Sequence, residues 1–454
     1  MNKESMKILS EIEDRFLEES ENTAGSGKHV WKSRLAAALA VLLVIVGTVR
    51  FTDRNREPKP LNGTNSILAE VSASENSEVA MEEYAEIASA ICNFNFRMLK
   101  TTVYDSGKNV LYSPANIYMA MSMLTQLAND ETQDQLLEVL NFKDMESLAS
   151  QAGLLYQGLN QSGEHSLLKT ANSIWLANKY TYNTDLLNQL AIKQFASSYS
   201  GEMGSQDYDA MLQKWVNEHT NDFLKNQTGD LKFDPETVMS LVSTIYLKDS
   251  WIDVFSEKDN TMETFHAPSA DKTVEMLNDH DTAPIYFGEN FMAYQRFLFS
   301  SSIWFILPFE GVDVNDIRCS EELERFLTDP YSFEHRSAMV TIKIPKFDIS
   351  SSSDLRKTME DMGLTRIFDS SKAQFNEVVS EYESLYVSEI KHGARMKLDE
   401  EGIEAAAYTA MILNGMSLPT EFIDFILDRP FLFVLNSRSN VALFTGIVND
   451  PTVR

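Results

Sequence analysis

Two near-continuous apolar runs, Val238–Lys248 and Ser302–Pro308, constrain the fold more than any other feature of the sequence. A strand with apolar residues on both faces has to be covered on both faces, so each run predicts a central, buried strand. Further patterns predict strands at Ala338–Ile349, Phe431–Asn436 and Val441–Val448, and helices at Tyr84–Lys100, Ser113–Asn129 and Leu212–Asn226. Helices and strands alternate without a repeat, which predicts a mixed α+β domain.

The charge and the cysteine content exclude several classes of function. The 454 residues carry a formal net charge of −28, and the chain shows no clustered Lys and Arg of the kind that a phosphate backbone requires. No nucleic-acid partner is therefore expected. The two cysteines, Cys92 and Cys319, are too far apart in the sequence for a zinc-binding pair and are interpreted as free thiols. We expect no metal and no other cofactor.

An apolar segment near the N-terminus predicts a membrane anchor. Leu35–Val49 contains 15 residues without a charge and has basic residues on both sides. This is shorter than the roughly 20 residues of a typical span, but Trp31, Phe51 and the flanking basic side chains can extend it to the interfaces. A cleaved signal peptide is the alternative, although the long, partly acidic segment before it favours an uncleaved anchor. The predicted organisation is an N-terminal tail (1–30), a transmembrane helix (31–51), a disordered linker (52–80) and a folded domain (81–454).

Common sequence signatures of enzymes are missing. The chain contains no G-x-S-x-G, H-E-x-x-H, phosphate-binding G-x-x-x-x-G-K-[ST] or dinucleotide-binding G-x-G-x-x-G pattern. Its seven histidines include no pair at metal-ligand spacing, and for His392 a buried structural role is favoured over a catalytic one. Trp251, taken by itself, is interpreted as a core residue. Nothing in these patterns supports an enzyme.

The segment Asp399–Thr420 (DEEGIEAAAYTAMILNGMSLPT) contains a glutamate pair, a glycine, clustered alanines and no Lys or Arg. As a strand from Gly402 onward, it would have one small and mostly apolar face made of Ile403, Ala405, Ala407, Thr409, Met411 and Leu413. The local sequence alone favours a surface helix or a loop, because Ala and Glu have good helix propensity.

Several motifs that fall in order over residues 80–454 resemble those of the serpin family. They are Asn109–Ile117 (NVLYSPANI), Trp215–Thr220 (WVNEHT), Leu241–Trp251 (LVSTIYLKDSW) with Phe255, Ile344–Phe347 (IPKF), Met362–Leu364 (MGL), Asp428–Phe433 (DRPFLF) and the hinge from Glu400 to Ala407. The resemblance implies a serpin fold with a large central mixed sheet, two further sheets, about eight to nine helices and an exposed reactive-centre loop. Here that fold would be preceded by one transmembrane helix.

The resemblance also implies the activity, which is that of a suicide inhibitor of serine proteases and not of an enzyme. The protease cleaves the loop, and the loop then inserts into the central sheet before the acyl-enzyme is hydrolysed. Family spacing places the reactive bond at Met416–Ser417, within one or two residues, and implies a covalent complex through Met416. Because the loop lacks Lys and Arg, elastase-, chymotrypsin- or subtilisin-like proteases are the expected targets. The implied hinge comprises Glu400, Glu401, Gly402, Ile403, Glu404, Ala405, Ala406, Ala407 and Thr409.

Three positions depart from the family pattern. Asn116 replaces a serine and Ser243 replaces an asparagine, both in the implied sheet-opening region, which consists of Ser113, Asn116, Ser243, His392 and Trp251. We expect the two exchanges to compensate by keeping an Asn–Ser–His hydrogen-bond cluster. Ile403 stands where inhibitory serpins carry Thr or another small residue, and its branched side chain could slow insertion of the loop.

The expected protein is a bacterial, single-pass, membrane-anchored monomer with its serpin domain on the extracellular side. The basic residues that flank the anchor are nearly balanced, so charge alone does not set the orientation. The first alternative is a non-inhibitory serpin that acts as a surface binding or signalling protein. The second is an adhesion or signalling protein whose acidic N-terminal tail carries the function.

Overall fold

A computed structural model of the protein describes residues 66–71, 83, 85–225, 228–375, 377–379, 385–403 and 421–453. The predicted anchor (31–51) and residues 404–420 of the predicted reactive loop lie outside these ranges. Among the described residues, no helix is both long and apolar enough to cross a membrane.

Nine α-helices occur in the described ranges. They are α1 (Ala85–Thr101), α2 (Pro114–Leu127), α3 (Asp130–Val139), α4 (Met145–Leu159), α5 (Thr184–Gln194), α6 (Gln206–His219), α7 (Val314–Arg318), α8 (Glu321–Thr328) and α9 (Arg356–Asp361). The Ser-Pro pair begins α2 as the sequence predicts, because the Ser113 side chain accepts a hydrogen bond from the N–H of Asn116 and Pro114 occupies the first helical position.

The first sheet, called the central sheet below, contains eight strands. They are β1 (Ser66–Ala69), β3 (Gln161–Ser162), β4 (Ser166–Ala177), β5 (Ala196–Gly201), β6 (Met239–Ser250), β12 (Phe347–Asp354), β13 (Lys391–Leu398) and β14 (Gly402–Ile403). Their order is β1-β5-β4-β6-β14-β13-β12, with β3 paired to β4. The β4–β5 pair is parallel and the other pairs are antiparallel, so the sheet is mixed.

The second sheet contains nine strands. They are β2 (Val110–Tyr112), β7 (Thr261–His266), β8 (Asp271–Phe287), β9 (Phe291–Phe297), β10 (Ser301–Pro308), β11 (Glu334–Pro345), β15 (Phe422–Ile426), β16 (Phe431–Ser437) and β17 (Ala442–Val448). Their order is β15-β11-β8-β9-β10-β16-β17-β2, with β7 paired to β8. The sequence predicts two further sheets, whereas these strands form one continuous sheet, because the 17-residue β8 pairs with β7, β11 and β9.

Apolar contacts cover both faces of the central sheet. On one face, α2 is buried around most of its circumference and contacts both β6 and β17, so it links the two sheets. On the other face, the buried Trp175 of β4 packs against Trp215 of α6 and stacks on Tyr199 of β5.

The two apolar runs differ in how completely they are buried. β10 is buried along its whole length, which confirms the prediction for that run. β6 is mostly buried from Thr244 onward, but its first five residues, Met239–Ser243, are only half-buried. The half-buried end of β6 lies in the part of the central sheet where the site described below is found.

The predicted single strand Ala338–Ile349 is wrong. β11 ends at Pro345 in the second sheet, and β12 begins at Phe347 in the central sheet. Lys346 lies between them, its N–H donates to the carbonyl of Glu275, and its ammonium group forms ion pairs with Glu275 and Glu400. These long-range contacts, and not the apolar pattern, decide where one strand ends and the next begins.

Two other elements differ from the sequence-based expectation. The predicted helix Leu212–Asn226 begins earlier, after the N-cap Ser205, and ends at His219. Asn221 and Asp222 then adopt φ values of 51° and 61°, a left-handed conformation that does not continue a helix. Within the segment predicted as a disordered linker (52–80), residues 66–69 form β1 and pair with β5.

Candidate functional site

Two residues join the two halves of the central sheet. Among the described residues, β14 is the only strand that pairs with both β6 and β13, and it is antiparallel to each. Ile403 pairs with Leu398 on one side and with Asp249 on the other, and Gly402 pairs with Ser250. β6 and β13 therefore run in the same direction, and the chain enters between them at one end.

Only glycine fits at position 402. Its φ is +147°, a backbone conformation that residues with a side chain rarely adopt. A Cβ atom at this position would overlap the carbonyl oxygen of Asp249 and lie 2.8 Å from the Cα atom of Ser250. The backbone of β14 can approach β6 because no side chain stands between them.

A hydrogen-bonded turn from Asp399 to Gly402 leads into β14. The Asp399 N–H donates to the Gly402 carbonyl, and the Glu401 N–H donates to the Asp399 carboxylate. Trp251 binds the turn twice, because its main-chain N–H donates to the Glu401 carbonyl (3.0 Å) and its indole N–H donates to the Asp399 carbonyl (2.9 Å). The Phe255 N–H donates to the Glu400 carbonyl (3.1 Å).

The Glu400 side chain connects the turn to the second sheet. Its carboxylate lies 2.8 Å from the Lys346 ammonium and accepts a hydrogen bond from the Asn260 amide at 2.6 Å. Burial acts to raise the pKa of Glu400, but the hydrogen bonds from Lys346 and Asn260 outweigh it, and the pKa is lowered overall. Glu400 is therefore held as a carboxylate beside the hinge.

Ile403 is buried, with 4% of its surface exposed, and it lies at one end of the space between β6 and β13, both of which continue past it. A strand that continued β14 in the same register would run along β6 from Lys248 to Met239 and along β13 from Lys397 to Lys391. Along β6 such a strand would comprise ten residues, 404–413, or about 33 Å of extended chain.

The start of α2 contacts both sides of this space. The Ser113 N–H donates to Nε2 of His392 in β13 at 3.1 Å, and the Asn116 side-chain amide donates to the main-chain carbonyl of Ser243 in β6 at 3.1 Å. Ser113, Asn116, Ser243 and His392, four of the residues assigned to the sheet-opening region, are thus brought together. Trp251 is not part of this cluster and lies at the hinge turn instead.

The exchange of Asn116 and Ser243 does not restore a hydrogen bond between their side chains. Asn116 binds the main chain of Ser243, and within the described part of the chain the Ser243 hydroxyl and the Asn116 side-chain oxygen are buried without a hydrogen-bond partner. The prediction of a compensating side-chain cluster is therefore wrong for Ser243. Two unpaired polar atoms are left beside the space between β6 and β13.

His392 is neutral at physiological pH. Burial lowers the pKa of its imidazole to about 4, because a charged ring would lose its hydration. The hydrogen bond from the Ser113 N–H also requires Nε2 to be unprotonated.

The remaining predicted site residues, Glu404, Ala405, Ala406, Ala407, Thr409, Met416 and Ser417, lie outside the described ranges. The sequence analysis did not single out Asp249, whose buried carboxylate accepts hydrogen bonds from Ser300 and Ser301. It also missed Arg296, whose guanidinium lies 3.9 Å from the ring centre of Phe255 and 2.8 Å from Asp279. In the described ranges, no three His, Cys, Asp or Glu residues are placed to hold a metal ion.

Comparison with known proteins identifies relatives over most of the chain. The family model described as serpin (serine protease inhibitor) matches residues 89–451. Human antithrombin-III is 26% identical over 423 residues, which cover 88% of this chain and 86% of that protein. A serpin-like protein of Methanosarcina acetivorans is 27% identical over 399 residues, which cover 82% of this chain and 88% of that protein.

Solved structures show the same fold. Tengpin, a thermophilic serpin solved in its native state, superposes with a TM-score of 0.72 at 24% identity and covers 84% of this chain and 97% of its own. A complex of human thyroxine-binding globulin superposes with a TM-score of 0.69 at 22% identity and covers 82% of this chain and 100% of its own.

Substitution of Gly402 by Ala should expel β14 from the central sheet, because the new Cβ atom would overlap β6 at a positive φ. We expect the free energy of unfolding to fall by about 1–3 kcal/mol in urea titrations. The matched control is Gly393→Ala in β13, where the nearest atom to a new Cβ would lie at 3.9 Å. Equal stability of the two variants would contradict this account of Gly402.

Protonation of His392 should destabilise the fold between about pH 6.5 and pH 4. The unfolded imidazole binds a proton below a pKa of about 6.5, whereas the folded one resists protonation until its pKa of about 4. The contribution of neutral His392 is therefore complete above pH 6.5 and is lost as the pH falls. Relative to His392→Gln, the wild type should lose about 2 kcal/mol between pH 7.5 and pH 5.

The measurement is urea unfolding of both proteins at the two pH values, with His335→Gln, an exposed histidine on β11, as the control for the loss of an imidazole. Equal pH dependence of the wild type and His392→Gln would show that His392 does not cause the loss.

Proposed function

The chain belongs to the serpin family, and we propose that it inhibits serine proteases by cleavage of its reactive loop and insertion of that loop into the central sheet. The observation that carries the proposal is the position of β14. This strand enters between two parallel strands and is antiparallel to both, and β6 continues past Ile403 for ten residues with which an extended β14 would pair.

The proposed reaction begins when the protease serine attacks the carbonyl carbon of Met416. A bond forms between the serine oxygen and that carbon, the bond from the carbon to the Ser417 nitrogen breaks, and Ser417 leaves as a protonated amine. The protease remains joined to Met416 as an ester. Water would next hydrolyse this ester, and inhibition requires the loop to insert first.

Insertion is favoured by main-chain hydrogen bonds on both sides of the new strand. At about 0.5–1.5 kcal/mol for each hydrogen bond, ten inserted residues could supply on the order of 10 kcal/mol. The side chains that would share the buried face of Ile403 are small at positions 405 and 407, so they offer little steric resistance. The chain would move by about 33 Å along the sheet and would carry the protease with it.

The register gives Thr409 a specific position in the inserted strand. Counting from Ile403, residue 409 would lie opposite Ser243 of β6 and His392 of β13. Its hydroxyl group would then reach the cluster in which the Ser243 hydroxyl is buried without a partner. Insertion would satisfy this group, which is a further gain for the inserted state.

The alternative of a non-inhibitory serpin, acting as a surface binding or signalling protein, rests on Ile403. Its branched side chain is buried in the central sheet and paired on both sides. The sheet therefore accommodates isoleucine at the first inserting position, and this residue gives no reason to prefer the alternative.

The target and the location are inferred from the sequence. The absence of Lys and Arg from residues 404–420 favours elastase-, chymotrypsin- or subtilisin-like proteases as targets. Residues 31–51 would anchor the monomeric protein in a bacterial membrane by one span, with the serpin domain outside the cell.

A membrane anchor predicts that the full chain sediments with membranes and is released by detergent. Leu42→Arg/Leu43→Arg should shift it to the soluble fraction, because two charges in the centre of the span are costly. Leu61→Arg, in the linker, is the control and should stay with the membranes. Retention of the double variant on membranes after a carbonate wash would contradict a span at 31–51.

The inhibitory mechanism predicts that the full chain, purified in detergent, forms a complex with pancreatic elastase that resists denaturing gels. The released fragment should begin at Ser417 by mass spectrometry. Thr409→Arg should be cleaved without forming the complex, because its charge would enter the buried face beside His392.

Ala410→Arg is the matched control, because residue 410 would lie on the opposite face, beside the exposed Lys391. This variant should still form the complex. Cleavage of the wild type without a complex would mean that the loop is only a substrate. A complex with Thr409→Arg at the wild-type yield would contradict insertion in this register.

A further inference from the structure

The central sheet has an edge strand that lies outside the region matched by the family model, residues 89–451. β1 pairs antiparallel with β5, with Ser66 opposite Ser200 and Ile67 opposite Tyr199. The pairing is extended at Val71, whose N–H donates to the Ser197 hydroxyl at 3.0 Å and whose carbonyl accepts from the same hydroxyl at 3.2 Å.

Hydrogen bonds hold β1 in place, and its large apolar side chains are only partly buried. The side chains of Ile67 and Leu68 are 58% and 45% exposed, although they are the large apolar residues of the strand. Their burial therefore contributes little, and the strand is held by its pairing with β5 and by the Ser197 hydroxyl. β1 forms hydrogen bonds with the main-chain groups of β5 that would otherwise lie at the edge of the sheet.

β5 has no protection of its own against pairing with another strand. Its sequence, Ala196–Gly201 (ASSYSG), contains no charge and no proline, and every residue of the strand is buried. Exposed edge strands in soluble proteins are usually blunted by charged residues, proline, a bulge or a covering segment. Without β1, the N–H and C=O groups on one side of β5 would be available to another chain.

As the edge strand of the sheet, β1 is less able than β5 to pair with a strand of another chain. It is only four residues long, its register with β5 shifts between Ile67 and Ala69, and the acidic Glu70 follows it. Short length, irregularity and charge all disfavour the addition of a further strand. When β1 is paired with β5, the edge of the sheet is therefore a strand that disfavours further pairing.

We propose that residues 66–71 guard the β5 edge against pairing with β5 of a second copy of this chain. Two β5 strands related by a twofold axis would pair antiparallel, which is the direction in which β1 itself pairs with β5. The strand would therefore keep the protein monomeric. This proposal does not depend on the inhibition of proteases.

The test compares full-length variants in the same detergent by light scattering and by hydrogen exchange of the β5 amides. Ile67→Pro/Leu68→Pro removes the N–H groups of two consecutive residues where Ile67 pairs with Tyr199, and proline cannot donate a main-chain hydrogen bond to a neighbouring strand. Ile67→Ser/Leu68→Ser is the matched control, because it removes the same exposed side chains but keeps both N–H groups.

The proline variant should roughly double its protein mass at micromolar concentrations, while the serine variant and the wild type keep the monomer mass. When diluted to a monomer, the proline variant should exchange the amides of residues 196–201 at least about tenfold faster than the wild type. A peptide of residues 64–72, added in excess, should restore the monomer mass.

Two results would overturn the proposal. The first is a proline variant that keeps the monomer mass and unchanged exchange in β5. The second is equal self-association of the proline and serine variants, since the side chains and not the pairing would then matter. If the proline variant does not fold, Ser197→Ala tests the same contact, because it removes only the hydroxyl that binds Val71. Unchanged exchange of the Val71 amide in that variant would also overturn the proposal.

Discussion

The close approach of the Gly402 backbone to β6 is the contact on which the rest of the site depends. It allows the chain to leave the turn at Asp399 and to enter between two strands that run in the same direction. Parallel neighbours cannot be joined by a short connection, but an antiparallel strand placed between them pairs with both. A side chain at position 402 would overlap Asp249 and close this entrance. The position of β14 between β6 and β13 therefore requires a residue without a side chain at 402.

Two groups of polar contacts lie where β6 and β13 face each other. One group binds the hinge turn, and the other connects the two strands through α2. At the hinge, Trp251 and Lys346 bind the turn, so they fix the point from which the inserted strand would start. Further along the space, the beginning of α2 binds β13 through Ser113 and β6 through Asn116. The second group has one neutral imidazole and two buried atoms without partners. It lies further along β6 and β13, where a strand that continued β14 would run.

The sequence predicts those elements whose causes are local. The Ser113-Pro114 pair starts α2, and the apolar run of β10 corresponds to a fully buried strand. The break at Lys346 could not be predicted from its neighbours, because it depends on an ion pair with Glu400, 54 residues away. β1 was missed for the same reason, since its partner β5 is about 130 residues distant and only two of its residues are large and apolar. The hydrogen bond of Asn116 to a carbonyl instead of a hydroxyl depends on side-chain geometry that a motif does not record.

The central sheet is completed at two places by segments that are far apart in the sequence. β14 enters in the middle, and β1 covers one edge. Both strands form hydrogen bonds with main-chain groups of the sheet that would otherwise be unpaired. They pair with different strands, because β5 and β4 lie between β1 and β6. A strand inserted after Ile403 would move β13 away from β6 and leave the pairing of β1, β5, β4 and β6 unchanged. If the loop inserts as proposed, β1 can therefore continue to cover the edge of the sheet while β13 moves.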